Sequence, residues 1–309
     1  MNTQSNTIPE SFDSPKAAPA VLSQPHPFYW SVRRELWEYR FLYTAPLIVA
    51  GTFLFGFLIS LGHLPARVRA SFALAPEQQR AALVAPYEIM GGVMMFTAIL
   101  VSMFYCLDAL YGERRDRSIV FWKSLPVSDL TTVLAKMSFP LVIVPVIASA
   151  VGAVLQLMMM LLSSVVLAAS GLSVAALWSE LPWFRMSLLL LYHILTAHAL
   201  WPAPVYGWML VVSGWARRAT FLWASLPVLA IAGVEAIAFR TSHFLTFIGG
   251  RLIGYAPVNM NEGNVFPTNP MAHMDPGSFL SSPGLWGGLL VTAGFVAIAV
   301  RLRRRQGPI

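Results

Sequence analysis

The apolar residues of this chain lie in long blocks, with polar and charged residues gathered between them. The blocks cover about 41–62, 87–111, 130–170, 186–212, 220–239 and 284–300. A helix crosses a hydrocarbon core about 30 Å thick with roughly 20 apolar residues, so each block is a candidate span. The pattern predicts an all-α, polytopic membrane protein with six transmembrane helices. The third block, at some forty residues, exceeds one crossing. It should begin in water and end beyond the far interface, kinked at Pro140 and Pro145. Pro202 and Pro204 interrupt the fourth block, and Gly91-Gly92 in the second would let a neighbouring helix approach closely. Ser281-Ser282-Pro283 reads as a cap and first turn for the sixth.

Two stretches carry a helical rather than a block pattern. Over residues 27–40 (PFYWSVRRELWEYR), Tyr29, Val32, Leu36 and Tyr39 share a stripe that continues to Tyr43, with Trp30 and Trp37 beside it. Ser31, Arg34, Glu35 and Glu38 fall opposite, while Arg33 and Arg40 border the stripe, where their heads reach lipid phosphates. A helix of this kind lies in a membrane interface. The second stretch is 108–136. Gly112-Glu113-Arg114-Arg115-Asp116-Arg117 is too charged to enter a bilayer, and Ile119-Val120-Phe121-Trp122 with Leu125 makes a short apolar patch. Pro126 should stop that helix, and Ser128 should cap the next, with Asp129 in its first turn. The stretch predicts a short amphipathic helix across the membrane surface between spans two and three.

Between the first two spans the sequence predicts a loop over 63–85, with a short helix near 76–83. Trp178, Trp183 and Phe184 supply interface aromatics to a loop over 178–185, and 214–219 (GWARRA) is a tight basic turn. Residues 240–283 form a long segment rich in Gly, Pro and Asn. Its run Phe244 to Gly250 is too short to span and is expected to dip into the outer leaflet or pack over the bundle. Glu235 would then pair with Arg240 or Arg251. Residues 1–24 are polar and rich in Ser and Pro, which predicts a disordered tail, and they lack the basic start and apolar core of a signal peptide. Residues 25–305 then form one six-span domain, ending in a basic tail over 301–309.

Composition sharpens the class. The chain is 57% hydrophobic and 11% charged, against about a quarter charged in soluble domains. Cys106 is the single cysteine, which excludes an internal disulfide. The net charge of +7 is unevenly placed. The amino-terminal segment, the 113–136 stretch, the 214–219 turn and the carboxy-terminal tail hold fifteen of the 21 Lys and Arg residues. Cytoplasmic segments carry such an excess, so these four belong inside, with both termini cytosolic. The bias accounts for the charge without nucleic acid.

Candidate chemistry is sparse. No GxxxxGK[ST] phosphate loop, HExxH or paired-Cys spacing occurs, so no catalytic, cofactor or metal residue is assigned. His193 and His198 are five apart, about 140° around a straight helix, and read as interhelical hydrogen-bonding groups rather than joint ligands. Met158-Met159-Met160 reads as packing. Asp108 and Glu235 are ionisable groups near span ends, read as structural pairs ahead of pathway groups. With His193, His198 and Arg251 they complete the polar candidates.

The 108–136 stretch, the interface helix and the six spans together resemble the permeases of type-2 ABC exporters. The carrying residues are Glu113-Arg114, the apolar helix Ile119 to Leu125, Leu125-Pro126-Val127-Ser128 and Lys136, with PVYGWMLVVSGWARRATFLWASLP also similar to bacterial members. The likeness covers about 27–305. It implies a transporter subunit in a bacterial cytoplasmic (inner) membrane, not itself an enzyme. A separate ABC ATPase subunit would carry ATP and Mg, and a second permease chain, identical or related, would complete the pair. The 113–129 segment would be the coupling helix. Phe121, Trp122 and Leu125 would be its anchors and Pro126 its stop, while Glu113, Arg114, Arg115, Asp116 and Arg117 set orientation. Trp30, Arg33, Trp37 and Arg40 would mark the interfacial helix against membrane lipid. Two other classes stay open. One is a membrane-embedded lipid-modifying enzyme centred on His193 and His198. The other is a non-transporting assembly or sensory protein using 240–283.

Overall fold

Long apolar blocks without alternation leave the backbone one way to satisfy its polar groups inside hydrocarbon, and that is the helix. A computed structural model describes residues 27–73, 75–124, 127–253 and 276–308, and every regular element among them is helical. In chain order these are α1 (Pro27–Glu38), α2 (Phe41–Leu61), α3 (Leu64–Ser71), α4 (Pro76–Asp108), α5 (Tyr111–Arg115), α6 (Ser118–Ser124) and α7 (Asp129–Ser138). There follow α8 (Val144–Ala169), α9 (Ala175–Glu180), α10 (Trp183–Leu195), α11 (Ala203–Trp215), α12 (Thr220–Phe239), α13 (His243–Ile253), α14 (Pro276–Ser281) and α15 (Pro283–Arg305). Among the described residues, five continuous segments are long and apolar enough to cross a membrane, and a sixth counts if the bent pair around Pro202 is one span. The tail over 1–24 and residues 254–275 of the 240–283 segment lie outside the described residues.

Several expectations change in detail. The short helix near 76–83 is the start of α4, which runs unbroken through Pro86. Glu77 faces the positive end of the dipole there, and the helix-favouring run of Gln, Ala and Leu carries the turns onward. At Pro140 the missing donor is absorbed by a π-turn, Phe139–Ile143, between α7 and α8. A second π-turn, Thr196–Leu200, precedes a 52° bend between α10 and α11. Arg301 to Arg305, expected in a basic tail, are the last turns of α15.

The bundle core has two parts. At the end holding α1 and the last turns of α15, Leu42, Tyr105, Phe139, Ile194, Tyr206 and Leu210 pack together. At the other end Phe57, Tyr87, Met90, Met94, Met159 and Met160 do so. Helix α11 lies along α15, and α8 lies against α2, α4 and α10. Of the Gly91-Gly92 pair only Gly91 faces a neighbour, its Cβ position 3.8 Å from the Leu190 Cδ1 of α10, whereas a Cβ on Gly92 would meet nothing within 4 Å. The tight crossing is at Gly152 on α8, where a Cβ would lie 2.6 Å from the Leu190 Cδ2 of α10. Helix α12 stands apart, with Ala224 its only residue counted as buried.

Candidate functional site

The 113–129 segment, expected to hold one short amphipathic helix, begins as two helical pieces, α5 and α6. The Asp116 amide returns to the Gly112 carbonyl at 2.9 Å and closes α5. Arg117 then adopts φ 59°, a left-handed conformation unusual outside glycine, and α6 starts in a new direction. Ser128 caps α7 as its sequence requires, its hydroxyl accepting from the Thr131 amide at 3.0 Å.

Burial divides the residues of this stretch. Glu113 and Arg114 are buried, whereas Arg115, Asp116, Arg117 and Phe121 are exposed and Trp122 is half-buried. Ile119 fixes α6 to the protein, with 2% of its surface exposed. Leu125 and Pro126 lie outside the described residues. Glu113 and Arg114, read from sequence as orientation charges, therefore make their contacts within this chain.

Those contacts form a buried ion cluster. Lys136 Nζ lies 2.7 Å from Glu35 Oε1 and 3.2 Å from Glu113 Oε1, with all three side chains 1% exposed. Arg34 Nη2 donates to Glu113 Oε1 at 2.6 Å and also reaches Glu35. Arg303 Nη2 lies 3.4 Å from Glu113 Oε2, and its Nη1 bonds Asp129. The Tyr105 hydroxyl donates to Glu35 Oε2 at 2.8 Å. Five elements meet here: α1, α4, α5, α7 and α15. Three cations face three carboxylates, which is what makes the burial tolerable, since each bare charge would cost several kcal/mol to desolvate. Burial works against the charge on Arg34, but Glu35 and Glu113 outweigh it and hold its pKa above the ordinary range. Burial pushes the Glu38 carboxyl up, and the negative charge of Glu35 adds to it.

Helix α1 buries charge as well as apolar surface: Val32 and Leu36, with Tyr39 just past its end, pack on the core, and Glu35 is buried with them. Arg34 and Glu35, expected opposite the apolar stripe, face into the protein as part of the ion cluster. Trp30 and Trp37 are exposed and flank the Arg33 guanidinium at 5.3 and 4.7 Å, and Arg40 is exposed nearby. Arg34 also lies over the Trp122 ring at 4.0 Å, so α1 touches α6 directly. On the far side of α5, Arg114 Nη1 donates to the Gly214 and Ala216 carbonyls at 2.6 and 3.1 Å. The Ser213 hydroxyl accepts from the Leu110 and Tyr111 amides, each at 2.9 Å.

The remaining candidates are scattered. Asp108 lies 3.7 Å from Arg115 in a largely exposed pair, worth about 0–1 kcal/mol. Glu235 pairs with neither Arg240 nor Arg251. Its carboxylate accepts from the Thr241 hydroxyl and from the His243 and Phe244 amides, each at 2.8 Å, because the free N–H groups at the start of α13 are nearer donors. Arg251 is buried, donates to the Trp201 and Gly284 carbonyls at 3.2 and 2.7 Å, and stacks on the Trp201 ring. His193 Nδ1 bonds the Leu189 carbonyl one turn back at 2.9 Å, and His198 Nδ1 is buried without a partner among the described residues. No grouping of three metal-ligating side chains occurs among the described residues.

Sequence reasoning missed Arg34, Glu35, Tyr105 and Arg303 as one cluster. The available signal was Lys136, a charge within an apolar block, which asks for a buried counter-charge. What the arrangement does chemically is fix position, tying a surface loop to four helices through charge-assisted bonds. No protein-family model matches the chain, and neither does any curated protein or solved structure.

Proposed function

We propose that this chain is the membrane-spanning permease subunit of an ABC exporter in a bacterial cytoplasmic membrane. It transmits ATP hydrolysis by a separate nucleotide-binding subunit to substrate movement. One observation supports this reading above the others. Helix α6 holds Val120 and Phe121 exposed at 61% and 59% beside the charges of Arg115 to Arg117, while α5 next to it is tied by buried ion pairs to α1, α7 and α15. A partner that grips α6 would move several helices together, since packed elements shift as units. The basic end of the bundle, with both termini, is cytosolic under the positive-inside rule. Helix α1 lies in the interface with Trp30, Arg33, Trp37 and Arg40 toward lipid. The exposed apolar length of α12 suits lipid and a second permease chain, identical or related. ATP and Mg belong to the partner subunit.

The test is recovery of the ATPase. The full chain, affinity-tagged in its native cells and purified in mild detergent, should carry a nucleotide-binding subunit with it. Phe121→Ala should lower that recovery roughly tenfold, since interface aromatics commonly contribute about 2 kcal/mol. Phe239→Ala, at the other end of α12 and 72% exposed, should leave recovery unchanged. Equal recovery with wild type and Phe121→Ala, or no ATPase in the wild-type eluate, would overturn the proposal.

A further inference from the structure

The turn between α11 and α12, the residues that follow α15 and helix α5 border an open cleft of about 540 Å³. Arg114, Trp215, Arg217, Gln306, Gly307 and Pro308 line it. Small-molecule sites run from roughly 300 to 1,000 Å³, so the cleft is large enough to hold a ligand. Its charge is unbalanced. Arg34 and Arg303 nearby are each matched to carboxylates, whereas neither Arg114 nor Arg217 makes an ion pair among the described residues. Arg114 is only 6% exposed, and its protein contacts are the two neutral carbonyls of Gly214 and Ala216. Its Nε is buried with no partner among the described residues, as are those of Arg34 and Arg303, but Arg114 alone of the three has no carboxylate. A buried guanidinium facing a second one, with dipoles alone for compensation, is an unfavourable arrangement that an anion relieves.

The position of the cleft narrows the anion. Trp215 is half exposed and meets Trp223 edge-on, ring centroids 5.0 Å apart, and tryptophans of this kind sit at head-group level. Arg217 and Arg218 are exposed beside them. Basic pockets between membrane helices bind the phosphates of anionic lipids. We infer that this cleft binds a phosphate group at the membrane surface, carried by an anionic phospholipid or present as free phosphate. The inference requires only that the helices lie in a membrane and holds whether or not an ATPase docks on α6.

The purified full chain in neutral detergent, titrated with dioctanoyl phosphatidic acid and followed by native mass spectrometry, tests it. One molecule should bind, and Arg217→Ala should weaken it roughly tenfold or more, the scale of a lost charge-assisted hydrogen bond. Arg217→Lys should restore part of the affinity, and Arg240→Ala should have no effect. Displacement by equimolar inorganic phosphate would identify the free anion as sufficient, and resistance to it would identify the lipid; both support a phosphate site. Equal affinity of wild type and Arg217→Ala overturns the inference. So does equal retention of dioctanoyl phosphatidylcholine, or failure of both phosphatidic acid and inorganic phosphate to bind.

Discussion

Lys136 sets one ammonium between two carboxylates that have almost no water to fall back on. Lys136→Met leaves Glu35 and Glu113 sharing the arginines alone, and should lower stability by about 3–5 kcal/mol, the usual cost of removing one partner from a buried pair. The measurement is the unfolding midpoint in detergent. Adding Glu35→Gln to Lys136→Met should recover part of the loss, because residues in one network are not additive. A midpoint unchanged in the single variant would mean that the cluster does not hold these helices. The same scale separates Phe121 from its neighbour. Trp122 supports Arg34 through its ring face, so its truncation disturbs the fold as well as any docking, whereas Phe121 is largely exposed and meets the Trp122 ring edge-on. A lone Lys in an apolar block is legible as a charge that needs partners. That those partners stand 101 and 23 positions away, on α1 and α5, is a matter of packing.

At the scale of elements, apolar length fixed the helices and local chemistry fixed several ends. Ser128 begins α7 and Pro283 begins α15 where their capping and first-turn preferences put them. Close approach between helices was not local in this way. Gly152→Ala should cost roughly 1–3 kcal/mol, because its Cβ would collide with a buried Leu190 that must leave its rotamer. Gly92→Ala should be neutral or slightly stabilising, since its Cβ meets nothing within 4 Å and alanine favours the helix. Unfolding midpoints of the two variants, measured side by side, check the contrast. Two glycines in sequence look like a packing motif, yet which glycine faces a neighbour depends on how each helix is rotated in the bundle.

Over the whole molecule, the exposed turn around Arg117 and the exposed Ser242 lie at opposite ends of the helices. In a variant with Cys106→Ala, Ser242→Cys should react with a membrane-impermeant maleimide on intact cells, and Arg117→Cys only after the cells are opened. The reverse pattern would invert the assigned orientation. The sequence by itself determined the helical class, the positions of the long apolar helices and the segregation of positive charge to one end. Those follow from summed hydrophobicity and backbone hydrogen bonding, which are properties of each segment alone. Only the tertiary structure decided that α1 turns Glu35 inward and its tryptophans outward. Only it decided that Arg303 closes the ion cluster from the last helix and that Arg114 and Arg217 share an unbalanced cleft. Each of these depends on which faces of distant helices meet, and a charge on a helix reads the same in sequence whether water or a buried counter-ion stands opposite.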